Sequence, residues 1–526
     1  MRRHFVALLI AVAPAFLAAE VQAQPRTVCT VTVNSADEKE TIRQRLPKGE
    51  YNFVELVEKG RPDWLRSSCQ KKVSCDVLVI SGHFNAGDTF YSDQMDRNEY
   101  LSVDELERAS CSASCPTLFS HLKEVYLFGC ESLNPDATKY SSSYGESGRD
   151  RMRRIFPNVP SIYGFYSSAP VGPTAAMLLN RYFDAGGARD FGTGNPSARL
   201  MKTFGHNHIT RVSGVRASEA PAWSYRGQVC QFFDERLSPG QKLAYVHSLF
   251  GNPANIDTFF ERVEKLVGAL SDAERQAPDF TQALAELSAD EKVRAQYVEA
   301  MRRADPPTRR SRMIALGVTL GWFDPAQARA ERVALINDML SRRSMGFAEV
   351  DLVCSLDAGH ELDGERARIV APRAAAGYAP HVAALACLGD EQAHDRMLRT
   401  LASADAGDVQ IAQTYLRNRP VTQTGELRRI AGEIARSSGP GQVRAIGAIA
   451  QLNISDREVL QQLSQLFAES KSLDVQRALA ELFIRSDPKA LPRPGLLGIL
   501  REHRVRHKGG GRDLIDTLID RLQQSG

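Results

Sequence analysis

The sequence predicts an α/β domain with a mainly parallel sheet, followed by an all-α solenoid. Short β-branched and aromatic runs alternate with helical segments in the first part of the chain, which is the pattern of parallel strands covered by helices. After about residue 236, Leu, Ala, Arg, Glu and Gln recur with helical spacing and strand-like runs become rare. Near the end, similar segments recur roughly 33 residues apart, the length of a two-helix repeat.

The first 23 residues have the composition of a secretory signal. Arg2 and Arg3 precede an apolar stretch over residues 5–19, and a small-residue cleavage site ends at Ala23. The stretch is shorter than the roughly 20 apolar residues that a membrane span needs. We therefore expect cleavage after Ala23, a periplasmic or secreted mature protein, and no membrane contact after cleavage.

These signals divide the chain of 526 residues, which is too long for one core, into four predicted segments. Residues 1–23 are the signal peptide and residues 24–235 the α/β domain. Residues 236–370 are a helical connecting region or divergent repeats, and residues 371–526 are the solenoid. The net charge of +3 is too small to indicate a nucleic-acid partner.

The predicted elements of the α/β domain follow from hydrophobic pattern and helix-start signals. Ser102 and Glu105 form a capping-box pattern, so a helix is expected to open at Val103. The other helices are expected over residues 37–46 and 175–183. Strands are expected over residues 28–33, 76–80, 124–128 and 161–166.

The nine cysteines also indicate export. Six of the seven in the first half can form up to three disulfides in an oxidising compartment if the seventh, Cys130, is free. The sequence does not resolve their pairing. Cys354 and Cys387 are either buried apolar residues or a fourth bridge. Zinc at Cys111 and Cys115 is an alternative, but no second ligand pair stands near them.

Two apolar strands each end in a residue that can do covalent chemistry. Residues 76–80 run into Ser81-Gly82-His83, and residues 124–128 run into Gly129-Cys130. The carboxyl ends of neighbouring parallel strands meet in one crevice, so we expect His83 and Cys130 to share it. A Cys thiolate is a nucleophile, and an adjacent imidazole can take its proton and later protonate a leaving amine.

The backbone beside these two residues is expected to serve the same reaction. Gly82 and Gly129 let the chain bend close to a substrate, where N–H groups can stabilise an oxyanion. Asp88 and Asp93, with Asp96, follow the His and could favour a basic substrate, although acids on an exposed loop are more often simply solvated.

The same patterns have plainer interpretations. A single Cys after a buried strand is usually a packed apolar residue, and a single His is usually solvated or hydrogen-bonded. His206 and His208 are spaced as in some metal sites, but no acidic or Cys partner follows closely. No metal site and no cofactor are expected.

At these residues the sequence resembles the caspase-like cysteine peptidases, the superfamily that includes caspases, gingipains, legumains, separases and bacterial CHAT domains. The family has one strand ending in a His-Gly element and another ending in Ala-Cys or Gly-Cys. Here the two elements end at His83 and Cys130, and Cys130-Glu131-Ser132 is similar to the Cys-Glu-Thr that follows the CHAT strand. The resemblance covers roughly residues 76–190, including the strand and helix after the nucleophile.

The resemblance implies a caspase-like three-layer domain with Cys130 as nucleophile and His83 as general base and acid. The family usually has Gly directly after the His, and the N–H of that Gly helps to build the oxyanion hole. This chain has Phe84 instead. Phe84 can donate its N–H only at backbone angles that suit a side chain.

The C-terminal segments that begin at Val409, Val443 and Val475 resemble HEAT repeats, and His381 begins an earlier, more divergent unit. Such a solenoid implies a curved surface for a protein partner. We therefore predict an exported cysteine endopeptidase that acts on protein or peptide substrates. The alternative is a catalytically inactive caspase-like domain in a periplasmic protein-binding scaffold.

Overall fold

The computed structural model divides into two compact units, Met1–Ala283 and Leu284–Gly526. The predicted signal peptide lies outside the described residues, and the first unit extends beyond the predicted boundary at residue 235. The structure describes residues 25–56, 65–84, 88–92, 100–136, 147–170, 172–342, 345–370, 377–403, 405–421, 423–450, 452–505 and 512–524.

A six-stranded sheet organises the first unit, in the order β2-β1-β3-β7-β8-β9. All its neighbouring strands are parallel except the pair β8 and β9, so the predicted mainly parallel sheet is confirmed. A small antiparallel sheet contains β4, β5 and β6. The described strands are β1 (Arg26–Thr32), β2 (Tyr51–Glu55), β3 (Val77–Ser81), β4 (His83–Phe84), β5 (Thr89–Tyr91), β6 (Tyr100–Ser102), β7 (Glu124–Phe128), β8 (Ser161–Phe165) and β9 (Ile209–Val212).

Helices cover both faces of the larger sheet. Val77 and Val79 of β3 face a core shared with α1 and α5. Leu78 and Ile80 face the opposite core, with α3 and α4. The described helices of this unit are α1 (Asp37–Arg45), α2 (Arg66–Gln70), α3 (Val103–Cys111), α4 (Gly148–Ile155), α5 (Gly172–Asp184), α6 (Ala198–Thr203), α7 (Ala220–Phe233), α8 (Pro239–Phe250), α9 (Pro253–Gly268), α10 (Asp272–Arg275) and α11 (Pro278–Ala289), whose last turns enter the second unit.

Local sequence explains where these elements begin and end. The central strands are continuous apolar runs because both of their faces are buried. Helix α3 opens at Val103, as predicted, with the Ser102 side chain accepting a hydrogen bond from the Glu105 N–H.

A buried ion cluster joins α3, α4 and α9. Glu107 of α3 is 2 % exposed, and its carboxylate accepts hydrogen bonds of 2.9–3.2 Å from Arg151, Arg154 and Arg262. Burial alone would raise the pKa of Glu107, but the three guanidinium groups hold it well below its usual range. The cluster ties the helical layer together on the side of the sheet away from α1 and α5.

Eight of the nine cysteines form disulfides. Three bridges lie in the first unit, as the count predicted, and Cys354–Cys387 is the fourth bridge that the sequence left open. Cys111 and Cys115 are both bridged, which excludes the zinc alternative, and Cys130 is free. The bridges in the first unit are Cys29–Cys75, Cys69–Cys115 and Cys111–Cys230.

This disulfide pattern fits an oxidising compartment outside the cytoplasm. Within the described part of the chain, no helix combines the length and the apolar character that crossing a bilayer would require.

The described residues of the second unit form helices and the turns that join them, and no strand is found among them. Even-numbered helices from α16 to α24 contact one another in succession, and odd-numbered helices from α17 to α23 do the same. Two stacked layers of this kind form a helical solenoid. The helices are α12 (Glu291–Arg303), α13 (Pro307–Thr319), α14 (Pro325–Ser341), α15 (Phe347–Ala358), α16 (Ala379–Cys387), α17 (Glu391–Thr400), α18 (Ala406–Asn418), α19 (Thr424–Arg436), α20 (Gly439–Ile449), α21 (Arg457–Glu469), α22 (Leu473–Arg485), α23 (Arg493–Glu502) and α24 (Leu514–Gln524).

The structure aligns the last two repeats differently from the sequence pattern, which matched Val443 with Val475. Gln442 and Gln476 are both buried, and each donates hydrogen bonds to carbonyl groups at the end of the preceding helix. These two glutamines occupy equivalent places, so Val443 and Val475 do not. The sequence pattern matched the two valines because it was based on apolar residues, and a buried glutamine does not stand out in such a pattern.

Candidate active site

His83 lies just beyond the carboxyl end of β3, as predicted. Strand β3 ends at Ser81, and the Gly82 N–H donates a hydrogen bond of 3.1 Å to the Phe128 carbonyl of the neighbouring strand. His83 then begins β4 and pairs with Tyr91, with the two ring centroids 5.5 Å apart. The hairpin of β4 and β5 therefore fixes the imidazole at this edge of the sheet.

Cys130 lies beyond the carboxyl end of β7, where the chain turns sharply. The residue is half-buried and in no disulfide. Glu131 has a φ of 55°, in the left-handed region, and its N–H donates to the Ser167 carbonyl at 2.7 Å. Left-handed backbone at a residue other than Gly carries strain and often marks a functional turn.

Ser132 holds this turn in place. The side chain is fully buried; its hydroxyl donates to the Leu127 carbonyl at 3.2 Å and accepts from the Phe165 N–H at 3.1 Å. The serine therefore joins the ends of β7 and β8. Within the described residues the Cys130 N–H has no hydrogen-bond partner, which leaves that donor available to a ligand.

The glycine before the nucleophile is required by close packing. A Cβ on Gly129 would lie 2.7 Å from the Phe84 Cβ and 2.9 Å from the Phe90 Cε1. Phe84 is 5 % exposed, and its ring packs against Phe90 with centroids 4.5 Å apart. The side chain of Phe84 thus anchors the small sheet beneath the site.

One cleft of about 500 Å³ contains the predicted pair. His83 and Cys130 both line it, together with Ser81, Gly82 and Gly129. Phe84 is outside this lining. The Gly82 N–H donates to the Phe128 carbonyl. The oxyanion roles of Gly82, Phe84 and Gly129 stay predictions.

The cleft also contains two acidic residues that the sequence analysis missed. Asp37 is exposed, whereas Glu38 is 3 % exposed and has an Oε2 atom without a hydrogen-bond partner. Burial and, to a smaller extent, the charge of Asp37 raise the pKa of Glu38 to about 7, against the opposing effects of its own backbone N–H and of Ser81. In the sequence both acids look like ordinary charges at a helix N-terminus.

Asp88, one of the acids that were predicted to attract a basic substrate, lies outside the cleft of His83 and Cys130. The Asp88 carbonyl accepts from the Val103 N–H, and its carboxylate is 3.7 Å from an Arg151 nitrogen. Asp88 lines a separate cavity of about 620 Å³ beside α3 and α9, not the cleft of His83. Asp93 and Asp96 are outside the described residues.

No group of three or more His, Cys, Asp or Glu side chains is arranged to hold a metal ion in the described ranges, which include His206 and His208.

Comparison of the chain with protein-family models, with curated proteins and with solved structures finds no match. The functional assignment therefore rests on the geometry of the cleft.

Proposed function

We propose that the chain is an exported cysteine endopeptidase with a caspase-like catalytic domain, in which Cys130 is the nucleophile and His83 the general base and acid. The observation that carries the proposal is that His83 and the free Cys130 line the same cleft. Eight other cysteines are oxidised to disulfides. The Cys130 thiol is outside these bridges and is therefore free to act as a nucleophile.

The proposed reaction follows from these groups. His83 takes the thiol proton, and the Cys130 sulfur attacks the scissile carbonyl to give a tetrahedral oxyanion. The Cys130 N–H stabilises that oxyanion. His83 then donates the proton to the departing amine, which leaves a thioester. Water, deprotonated by His83, attacks the thioester, and the acid product leaves as the thiol is restored.

The solenoid is proposed to present a protein-binding surface, as HEAT-like repeats do, to a substrate or a regulator. Stacked repeats form extended surfaces that suit a folded or elongated partner. The four disulfides support a location in the periplasm or outside the cell.

A second candidate function, an inactive scaffold, is favoured by one feature of the cleft. The Gly82 N–H is bonded to Phe128, and Phe84 replaces the glycine that the family uses as an oxyanion donor. With fewer donors, the transition state would be less stabilised, because one oxyanion donor contributes roughly 3 kcal/mol.

A peptidyl acyloxymethyl ketone, which reacts with activated thiols, separates the two functions. We expect stoichiometric labelling of Cys130 in the disulfide-intact protein, located by peptide mass analysis, and at least a hundredfold slower labelling in His83→Ala. The exposed His121, outside the cleft, gives the control His121→Ala, which should label at the wild-type rate. Slow labelling at the same rate in all three proteins would support the scaffold.

A further inference from the structure

We propose that the cleft binds the cationic side chain of an arginine or lysine residue of the substrate, through the carboxyl groups of Glu38 and Asp37. The inference deepens the proposed peptidase function and rests on it, because it assigns the residue that precedes the scissile bond. Within the cleft, Glu38 forms the buried acidic group and Asp37 the exposed one.

Glu38 is a buried carboxyl group with one oxygen atom that accepts no hydrogen bond. Its side chain is 3 % exposed, and its Oε2 has no hydrogen-bond donor. A buried acceptor left without a partner has lost the hydrogen bonds that water would give it, and this destabilises the fold. A ligand that brings N–H donors into the cleft would restore such a hydrogen bond.

Two other buried carboxyl groups of this unit, those of Glu107 and Glu124, accept several hydrogen bonds each. Glu107 is bonded to Arg151, Arg154 and Arg262. Glu124 accepts hydrogen bonds from the Tyr126 hydroxyl and from the backbone of the segment after α5. By contrast, neither Glu38 nor Asp37 forms an ion pair within the described residues, although Lys39 and Arg45 of the same helix each pair with another acid. The missing cation is therefore a property of this position.

The acids lie at the same edge of the sheet as the reacting groups. Ser81 lies beside Glu38 and is two residues before His83. Ser81 also pairs with Phe128, which is two residues before Cys130. A side chain that extends from a carbonyl at Cys130 toward Glu38 would thus stay within one cleft of about 500 Å³.

Gly172 lines the cleft directly beside Asp37, where a larger residue would not fit. A Cβ on Gly172, at the start of α5, would lie 2.5 Å from an Asp37 carboxylate oxygen and closer still to the Ser35 hydroxyl. Glycine at this position therefore leaves Asp37 accessible beside the cleft. Two carboxyl groups, one buried and one at the rim, match the several donors of a guanidinium and the charge of an ammonium.

Binding of a cation should depend on pH. The pKa of Glu38 is raised to about 7, so a bound cation, which favours the ionised carboxylate, should bind more tightly as the pH rises from 6 to 8. The other titratable groups that face Glu38 in the cleft are Asp37 from α1, His83 from β4 and Cys130 after β7. Because these groups share the cleft with Glu38, the Glu38→Gln variant is needed to assign the pH dependence of binding to Glu38.

The first test compares acyloxymethyl ketones that differ only in the residue next to the ketone: Arg, Lys, citrulline and Asp. We expect Arg and Lys to label Cys130 of the full-length protein at least tenfold faster than citrulline, which has the shape of Arg without its charge. Glu38→Gln should abolish that ratio, Asp37→Asn should reduce it, and Glu40→Gln should leave it unchanged. Glu40 lies on the same helix but does not line the cleft.

A second test keeps the inference falsifiable without catalysis. Agmatine, a free guanidinium ligand, is titrated into the Cys130→Ala protein by calorimetry at pH 6 and pH 8. We expect tighter binding at pH 8 and none in Cys130→Ala with Glu38→Gln, with Glu38→Asp retaining weaker binding and with circular dichroism spectra of all proteins alike.

The outcomes separate the two proposals. If no ketone labels Cys130 but agmatine binds and needs Glu38, the peptidase proposal fails and the cation site stands. If the ketones label Cys130 and citrulline or Asp reacts as fast as Arg, the cation site is wrong and the peptidase stands. Calcium binding at Glu38 that displaces agmatine would also overturn the inference, because the site would then serve a metal ion.

Discussion

At the scale of single residues, the cleft and the turn beside it contain residues that reduce the stability of the fold. Glu38 is buried beside Asp37 without a cation, and Glu131 follows the free cysteine in left-handed backbone. Features that weaken folding and persist at one edge of a sheet are typical of functional sites. We therefore expect that replacing such a residue, for example the buried acid Glu38, stabilises the protein.

Glu38→Gln should make the protein more stable at pH 8 than the wild type. Because the folded-state pKa of Glu38 is raised from 4.5 to about 7, the contribution of Glu38 to stability is largest below pH 4.5 and falls as the pH rises toward 7. Charge burial then costs about 3 kcal/mol at pH 8, which the glutamine avoids. Urea unfolding at pH 4.5 and pH 8 measures this; a difference between the two proteins that does not grow with pH would contradict it.

Gly129→Ala should destabilise the first unit by about 1–3 kcal/mol, because the added methyl group overlaps Phe84 and Phe90. Gly205→Ala is the matched control, since a Cβ there meets nothing within 4 Å, and its effect should stay within about 0.5 kcal/mol. Thermal unfolding of both variants gives the comparison. Equal stability of the two variants would contradict this prediction, because Phe84 and Phe90 would then have moved to accommodate the methyl group at little cost.

At the scale of elements, helices α3, α4 and α9 are joined by charge as well as by apolar contact. Three buried guanidinium groups converge on one carboxylate, Glu107. Removing one partner of such a cluster leaves uncompensated buried charge, which costs more than the net worth of the interaction. The cluster should therefore control how firmly this helical layer holds.

Glu107→Gln should cost about 3–5 kcal/mol at pH 7. Because the folded-state pKa is lowered, the stability from Glu107 is complete above its unfolded pKa and is lost as the pH falls below it. The variant should therefore differ most from the wild type at neutral pH and less near pH 3. Urea unfolding across this range measures the effect.

Glu219→Gln is the control for this cluster, because Glu219 pairs with Arg153 at the surface, where such pairs contribute only about 0–1 kcal/mol. A loss at Glu107 no larger than that at Glu219 would contradict the account.

The sequence predicted the elements that have a clear hydrophobic pattern. It did not predict features that depend on contacts between residues far apart in the chain. Strands β3 and β7 were predictable because buried parallel strands are continuous apolar runs, and with them the edge that holds His83 and Cys130. The two- and three-residue strands of the small sheet carry no such pattern. Glu38 looked like a solvated helix charge because its burial comes from other elements.

At the scale of the whole molecule, oxidation state sets the free cysteine apart. Three bridges hold the first unit and one holds the second, while Cys130 alone keeps its thiol. The three bridges of the first unit were predicted from an even number of cysteines in an exported chain, whereas Cys354–Cys387 was left open. Their pairing did not, because pairing depends on which elements become neighbours.

The unreduced protein, unfolded in guanidinium, should react with one equivalent of a thiol reagent per chain, and peptide mapping should place it on Cys130. After reduction nine equivalents are expected, from the nine cysteines of the sequence. Three or more equivalents before reduction would mean that at least one of the bridges does not form in solution.

The most direct test of the central claim, that Cys130 and His83 perform acyl transfer in one cleft, is acid quenching of the protein with a pool of peptide esters, followed by mass analysis. We predict an acyl group attached to Cys130 in the wild type, and none in Cys130→Ala or His83→Ala. No adduct on Cys130, or ester hydrolysis that survives in Cys130→Ala, would contradict the account.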